Sequence, residues 1–253
     1  MLVRGLLLLA ATALALLPTW LRQDWDGTEG RRVQIALEML RADSWMIPLL
    51  NAEPTWAKPP LHYWLIMLCH EWLGSGYLAL RLPGALSAWL GAWVAGELLR
   101  PYFGARVGWI AALGLVCSPF VLFKWPTAEI DPLFATLTGM SLWLLATGVA
   151  RARVPLVLSS GVVAGLAFLQ KGPPFFLFAA GAYLVWLRHR RLQGALWHFV
   201  PFALVVASYY APLFSWFVDA ESMLRVANEE SVGRITQWPV SYTHLRAHET
   251  PCH

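Results

Sequence analysis

Seven apolar stretches separated by more polar segments constrain this chain more than any other feature of its sequence. A helix needs about 20 mostly apolar residues to cross the hydrocarbon core of a bilayer, and some of these stretches are shorter. Hydrophobic residues make up 58% of the chain and charged residues only 13%. We therefore predict an all-α, multispanning integral membrane protein with about seven transmembrane helices. The stretches lie near residues 3–20, 78–99, 107–123, 132–150, 154–170, 172–187 and 197–217.

The first stretch has an alternative interpretation as a secretory signal peptide. Residues 13–15, Ala-Leu-Ala, resemble a cleavage site. Two more leucines and Pro18 follow them directly, and this continuation favours a retained first helix.

Residues 61–74 decide the orientation of everything that follows them. If this segment is a tilted or interfacial helix and residues 61–99 cross the membrane once, every basic loop lies on the side of Arg4. Cytoplasmic loops are enriched in lysine and arginine, so we predict this single crossing. His70 and Glu71 near the end of the segment favour the same interpretation. The basic loops carry Arg100 and Arg106, Arg151 and Arg153, and the run Arg-His-Arg-Arg at 188–191.

The external side receives the loops that carry most of the remaining charges. The large first external loop, residues 21–60, contains Val33, Ala36, Leu37 and Leu40 at helical spacing. This spacing predicts a helix that lies along the membrane surface. The other external segments are residues 124–131, residues 170–174 and everything after about residue 218.

The composition argues against several other classes of protein. The net charge of +4 arises from short basic clusters between apolar runs, which are typical of loops rather than of a nucleic-acid surface. Cys69, Cys117 and Cys252 lack Cys-x-x-Cys spacing, so no disulfide framework or zinc site is predicted. Residues 241–253 hold three of the seven histidines without apolar periodicity. We interpret them as a non-native tail, which leaves residues 1–240 as the transmembrane domain.

The first external loop resembles that of a known enzyme family. Residues 28–65 read TEGRRVQIALEMLRADSWMIPLLNAEPTWAKPPLHYWL, with a Glu-x-Arg start, an Ile-Ala-x-Glu-Met segment and Lys-Pro-Pro-Leu-x-Tyr-Trp near the end. The arrangement resembles the first external loop of bacterial lipid-carrier-dependent glycosyltransferases of the GT-C fold. That group contains protein O-mannosyltransferase-like enzymes and the aminoarabinose transferase of lipid A. Further matches follow in order at residues 81–88, 128–134, 165–174 and 228–235.

The resemblance implies an inverting glycosyltransferase that moves a sugar from a polyprenyl-phosphate donor to an acceptor outside the cytoplasm. It implies a multi-pass protein of the bacterial inner membrane whose active site faces outwards. It also places this chain in the N-terminal half of such an enzyme, so we expect the chain as given to insert into the membrane without turning over. The acceptor stays open between lipid A, another glycan and a protein.

The resemblance also indicates which residues take part in catalysis. The acceptor's proton must pass to a carboxylate, but the family's catalytic aspartate falls on Thr28, and a threonine hydroxyl is no general base at neutral pH. Asp26 and Glu29 are the nearby carboxylates for this role, and Asp131 on another external turn is a further candidate. Asp131 has an alternative interpretation as the N-cap of a helix, with Pro132 in the first turn.

Cations must stabilise the negative charge that grows on the departing phosphate. Lys58 is the first candidate because its sequence context matches the family, although lysines near helix ends also snorkel to the membrane interface. Arg31 and Arg81 are weaker candidates for binding the donor phosphate. Ala57 stands where the family often has glutamate, which removes one potential metal ligand, and no metal site is predicted.

The donor lipid carries the energy for transfer, so the resemblance implies no nucleotide and no cofactor. The sequence contains neither a GxxxxGK[ST] phosphate loop nor a GxGxxG turn. The main alternative is a multispanning transporter or lipid flippase, which would be expected to show repeat symmetry and ionisable residues at mid-membrane. Here the acidic residues gather near the predicted external ends of helices, which favours the enzyme.

Overall fold

The computed structural model describes residues 2–188 and 192–216, and these residues are mostly helical. This confirms the predicted all-α class. The basic residues 189–191, the segment 228–235 and the tail 241–253 lie outside the described residues. The elements are α1 (Leu2–Trp20), α2 (Glu29–Arg41), β1 (Leu49–Leu50), β2 (Glu53–Pro54), α3 (Leu61–Leu73), α4 (Tyr77–Val116), α5 (Pro119–Lys124), α6 (Ile130–Ala150), α7 (Val154–Lys171), α8 (Pro174–Arg188) and α9 (Leu192–Trp216).

Helix α4 contains most of two predicted spans and bends sharply between them. Gly104 at the bend has a φ of 81°, in the left-handed region that favours glycine. The two halves run back against each other, because a Cβ on Gly96 would lie 2.9 Å from the carbonyl oxygen of Gly108. In a straight helix these two residues would be about 18 Å apart. The single stretch of helix is therefore a helical hairpin.

The predicted span 107–123 is wrong at its end. Helix α4 stops at Val116, and Pro119 begins the separate short helix α5. The Ser118 hydroxyl accepts a hydrogen bond from the amide of Val121 at 3.4 Å, which caps α5. Proline has no amide hydrogen and is favoured in the first turn of a helix, so the chain starts a new helix here.

Four helices of the described ranges are long and apolar enough to cross a membrane. They are α4, α6, α7 and residues Leu196–Ser215 of α9. Helix α1 has a shorter apolar stretch, Gly5–Pro18, and α8 has 15 residues. Multispanning architecture is therefore confirmed, whereas the count of about seven crossings stays a prediction. Helix α3, predicted to be tilted or interfacial, has 13 residues and is not among the four.

Small residues and polar links join the long helices. A Cβ on Gly161 of α7 would overlap the carbonyl oxygen of His198 on α9, so the two backbones are in close contact. The ring of His198 is buried, with Nδ1 2.7 Å from Ser160 Oγ and Nε2 3.0 Å from the hydroxyl of Tyr183. Close approach at glycines and hydrogen bonds between helices are the usual means of association in membranes, where burial from water contributes little.

The first external loop contains a helix and a short hairpin. Helix α2 confirms the helix predicted from the apolar spacing, and its Val33 and Ala36 are buried against Tyr63 and Ile66 of α3. Strands β1 and β2 pair antiparallel around residues 51–52, which both have positive φ values, as a tight hairpin turn requires.

Candidate active site

Three segments that are far apart in sequence meet at one end of the helix bundle. The hydroxyl of Thr28 in the first external loop donates a hydrogen bond to Glu129 Oε2 at 2.8 Å in the segment 124–131. A Cβ on Gly172, in the α7–α8 turn, would lie 3.6 Å from the ring of Pro59. These contacts confirm that residues 21–60, 124–131 and 170–174 share one end of the bundle. Which side of the membrane this end faces stays a prediction.

A buried ion pair fastens the first external loop to α4. Glu29, the first residue of α2, is 0% exposed, and Arg81 in the second turn of α4 is 1% exposed. Arg81 Nε donates to Glu29 Oε1 at 2.6 Å, and Arg81 Nη2 donates to Glu29 Oε2 at 2.8 Å. The pair is bidentate, the geometry in which guanidinium and carboxylate groups bind each other most strongly.

Backbone groups complete the surroundings of both charges. Glu29 also accepts hydrogen bonds from the amide of Ala128 at 2.8 Å and from the amide of Asp26 at 3.1 Å. Arg81 donates to the carbonyl oxygens of Arg22 and Asp24, each at 2.6 Å. Glu29 and Arg81 are thus satisfied by each other and by the loop, which favours a structural role. Their predicted roles, a base for Glu29 and a phosphate ligand for Arg81, stay predictions.

The other two predicted bases are partly exposed, and each lies beside a lysine. Asp26 Oδ2 is 3.5 Å from Lys124 Nζ, and 39% of the Asp26 side chain is exposed. Asp131 Oδ1 is 2.5 Å from Lys171 Nζ, and 68% of the Asp131 side chain is exposed. Both carboxylates therefore reach the solvent side of the loop cluster, each with a cation on one oxygen.

The alternative interpretation of Asp131 as an N-cap is wrong. Helix α6 begins at Ile130, two residues earlier than that interpretation requires, and Glu129 is the N-cap. Asp131 therefore lies inside the first turn, where a carboxylate is favoured by the helix dipole and remains free to contact Lys171.

The three predicted phosphate ligands occupy different surroundings. Lys58 is half-buried in the turn before α3, next to the Pro59 that approaches Gly172. Arg31 is exposed on α2, and Arg81 is buried in its ion pair. Lys58 and Arg31 are thus the two predicted phosphate ligands that are not part of the buried ion pair between Glu29 and Arg81.

Sequence reasoning missed Arg32, the neighbour of Arg31. Arg32 Nη1 donates to the hydroxyl of Tyr63 on α3 at 3.3 Å. Its Nε is buried and makes no hydrogen bond among the described residues. The signal was present in the sequence, because residue 32 is four positions before Ala36 and so shares the buried face of α2.

His62 of α3 ties two of the converging segments to its own helix. The ring is 0% exposed, with Nε2 2.8 Å from the carbonyl oxygen of Ala128 and Nδ1 3.1 Å from Gln170 Nε2. These partners fit a neutral ring that donates from Nε2 and accepts at Nδ1. Burial is the main cause that lowers the pKa of His62 from 6.5 to about 4.

Glu129 is a fourth carboxylate of this cluster that sequence reasoning did not select. Its Oε1 accepts from the amide of Thr28 at 3.0 Å, and its Oε2 accepts from the Thr28 hydroxyl. The residue is half-buried, and its side chain does not cap α6. It lies two residues before Asp131, in a segment that the resemblance had already marked.

No group of three or more histidine, cysteine, aspartate or glutamate side chains within the described residues is arranged to hold a metal ion. Four carboxylates that meet at this end, those of Asp26, Glu29, Glu129 and Asp131, bind cations or hydrogen-bond donors of the protein itself.

Comparison with known families gives one match that covers most of the chain. The family described as "Dolichyl-phosphate-mannose-protein mannosyltransferase" matches residues 57–216. The matched range includes Lys58, Arg81 and Asp131, and it begins after Asp26 and Glu29.

Individual relatives are distant and much longer. The chain is 28% identical over 210 residues to the undecaprenyl phosphate-alpha-4-amino-4-deoxy-L-arabinose arabinosyl transferase of an Enterobacter species, covering 80% of this chain and 37% of the relative. It is 27% identical over 154 residues to arabinosyl transferase 2 of Proteus mirabilis, covering 58% of this chain and 28% of the relative. An uncharacterised protein of Aquifex aeolicus is 24% identical over 217 residues, or 83% of this chain and 43% of the relative.

A solved structure has the same fold. The crystal structure of ArnT from Cupriavidus metallidurans bound to undecaprenyl phosphate matches with a TM-score of 0.73 at 24% identity, covering 93% of this chain and 44% of that one. The GT-C-like fold is therefore confirmed. The chain spans less than half the length of these relatives.

Proposed function

The chain belongs to the dolichyl-phosphate-mannose-protein mannosyltransferase family, and from this premise we propose that it forms part of an inverting membrane glycosyltransferase. The enzyme moves a sugar from a polyprenyl-phosphate donor to an acceptor hydroxyl of lipid A, another glycan or a protein. One observation carries the proposal: the carboxylates and cations of three distant segments meet at one end of an apolar helix bundle. The relatives named as undecaprenyl-phosphate arabinosyl transferases support the donor class.

The site chemistry fits this reaction. The acceptor oxygen attacks the anomeric carbon of the sugar, its proton passes to a carboxylate, and the bond from that carbon to the phosphate oxygen breaks. The electron pair leaves with the polyprenyl phosphate, whose growing charge needs a cation. Asp26 and Asp131 supply accessible carboxylates, and Lys58 and Arg31 supply cations outside the buried ion pair. No redox group or nucleotide enters this scheme.

We place the site on the outer face of the bacterial inner membrane. The arginines of the α4 bend and of the α6–α7 connection lie towards the opposite end of the helices, as the distribution of positive charge in inner-membrane proteins favours. The comparisons do not favour the alternative of a transporter or flippase.

Binding of the donor lipid tests the proposal directly. The chain in nanodiscs is titrated with undecaprenyl phosphate, and bound lipid is counted by native mass spectrometry. Because the phosphate loses a charge-assisted hydrogen bond, Lys58→Gln should weaken binding about 10- to 100-fold. Arg153→Gln, in the exposed connection between α6 and α7, is the matched control and should leave binding unchanged. Equal binding by both variants would favour a snorkelling role for Lys58.

Transfer itself is measured on the full-length protein, in proteoliposomes with a radiolabelled polyprenyl-phosphate sugar. Lys58→Gln should abolish transfer while the melting temperature stays unchanged. Failure of the wild-type protein to release polyprenyl phosphate from any such donor would refute the proposed function.

A further inference from the structure

The four carboxylates at the candidate site differ in what occupies their oxygen atoms. Glu29 is paired with Arg81, Asp26 with Lys124, and Asp131 with Lys171. Glu129 makes no ion pair in the part of the chain that the structure describes, and both of its hydrogen bonds come from Thr28. Of these four carboxylates, Glu129 is therefore the one whose oxygen atoms no cation of the described residues occupies, which leaves them accessible to the hydroxyl group of an acceptor.

The carboxylate of Glu129 also retains acceptor positions for a further hydrogen bond. A carboxylate offers about four acceptor positions, and the amide and hydroxyl of Thr28 fill two of them. A Cβ on Gly27 would lie 3.2 Å from Oε1 of Glu129, and the φ of 58° at residue 27 favours glycine. Because residue 27 has no side chain, no Cβ covers this oxygen atom of Glu129. Lys124 Nζ is 3.7 Å from the same position, so a cation lies nearby.

The carboxylate of Glu129 lies close to the one residue of the first external loop where the sequence departs from the family's catalytic aspartate, Thr28. Threonine occupies position 28, where the resemblance leads one to expect an aspartate, and Glu129 reaches that threonine from another segment of the chain. Glu129 is the N-cap residue of α6, yet its side chain binds the first external loop rather than the amides of its own helix. The carboxylate of Glu129 therefore lies next to residue 28, although residue 28 itself is a threonine.

We propose that Glu129 is the general base, an assignment that rests on the proposed glycosyl transfer. The acceptor hydroxyl gives its proton to a carboxylate oxygen of Glu129 while the acceptor oxygen bonds to the anomeric carbon. The bond between that carbon and the phosphate oxygen breaks, and its electron pair leaves on the polyprenyl phosphate. Glu129 releases the proton to water after the product departs, so the enzyme is regenerated.

The test compares variants of the full-length protein in the transfer assay. Glu129→Gln keeps the shape of the side chain and both contacts with Thr28, because an amide can accept one hydrogen bond and donate the other. We expect kcat to fall about 10²- to 10⁴-fold, with donor binding and melting temperature unchanged. Glu53→Gln changes an exposed carboxylate of the first external loop, and this matched control should keep full activity.

A second variant separates a base from a merely structural residue. Thr28→Asp in the Glu129→Gln background returns a carboxylate to the same position and should recover at least about 10-fold of the lost rate.

The outcomes separate this assignment from the proposed function. If the wild-type protein transfers sugar and Glu129→Gln transfers it within about threefold of that rate, Glu129 is not the base, although the proposed function stands. If Glu129→Gln is inactive but the additional substitution Thr28→Asp restores nothing, the assignment is also overturned. If the wild-type protein transfers no sugar, the proposed function fails, and the assignment with it.

Discussion

Replacing Arg81 with methionine should destabilise the protein strongly, because Arg81 neutralises a carboxylate that has no contact with water. The substitution Arg81→Met preserves much of the side-chain volume but removes the charge and all the donors. Glu29, at 0% exposure, would keep only the amides of Ala128 and Asp26 as partners. Its second oxygen would lose Arg81 Nη2, which lies at 2.8 Å.

The magnitude follows from the cost of an unpaired buried charge. Removing one partner of a buried ion pair typically costs about 3–5 kcal/mol. For a chain of this size, each kcal/mol lowers the melting temperature by about 2–4 °C, so the expected decrease is about 6–20 °C. Glu29→Gln should cost a similar amount, because it leaves the Arg81 cation without a counter-charge in the same buried place.

The double variant Arg81→Met/Glu29→Gln makes the interpretation specific. It leaves no buried charge, so its destabilisation should be smaller than the sum of the single variants by at least about 2 kcal/mol. The matched control is Arg100→Gln, which breaks an exposed pair with Glu97 at 3.2 Å. Exposed pairs of this kind contribute about 0–1 kcal/mol.

The assay is thermal unfolding in detergent, followed by the fluorescence of the 15 tryptophans. A melting temperature of Arg81→Met no lower than that of Arg100→Gln would refute the reasoning. Strict additivity in the double variant would show that Glu29 and Arg81 do not depend on each other.

Three further predictions concern acidity, packing and topology. Burial lowers the pKa of His62 from 6.5 to about 4, so the unfolded chain takes up a proton before the folded one. Up to about 3 kcal/mol of the stability present above pH 6.5 should therefore be lost as the pH falls from 6.5 to about 4. His62→Gln should flatten this part of the pH dependence of the melting temperature, and an unchanged slope would contradict it. Gly161→Ala should destabilise the protein by about 1–3 kcal/mol in the same thermal unfolding assay, since its methyl group would overlap the backbone of α9. Gly181→Ala is the control, because a Cβ on Gly181 would have nothing within 4 Å, and it should be neutral or slightly stabilising. The topology is tested in a variant without native cysteines. A cysteine introduced at Glu53 should react with an impermeant maleimide from outside, and one introduced at Arg153 should react only after permeabilisation. The reverse pattern would show that the orientation is opposite to the one predicted.

The helices were predictable because hydropathy is a local property of the chain. Residues 132–150 and 154–170 were expected to be spans, and α6 (Ile130–Ala150) and α7 (Val154–Lys171) agree to within two residues. The convergence of the external loops was also predictable, since it depends only on the number of crossings between them. The Ser-Pro signal at 118–119 was visible as well, but apolarity alone extended the span through it.

The polar partners were not predictable, because they join residues that are far apart in the chain. Glu129 meets Thr28 across 101 positions, and Gln170 meets His62 across 108. No local pattern specifies such a pair. For the same reason the sequence could not show that Glu29 is buried against Arg81, so both were considered for reactive roles on residue type and family position alone.

These contacts also determine how the predicted roles of Glu29 and Arg81 can be judged. The buried pair holds the start of α2 against α4, and the Ala128 amide holds the same carboxylate against the segment that carries Glu129. A change that frees residue 29 therefore also displaces Thr28 and, with it, the proposed base. Loss of transfer in Arg81→Met would then follow from either role. Only weaker donor binding at an unchanged melting temperature would assign Arg81 to the phosphate, and the burial of the pair leads us to expect the melting temperature to fall first.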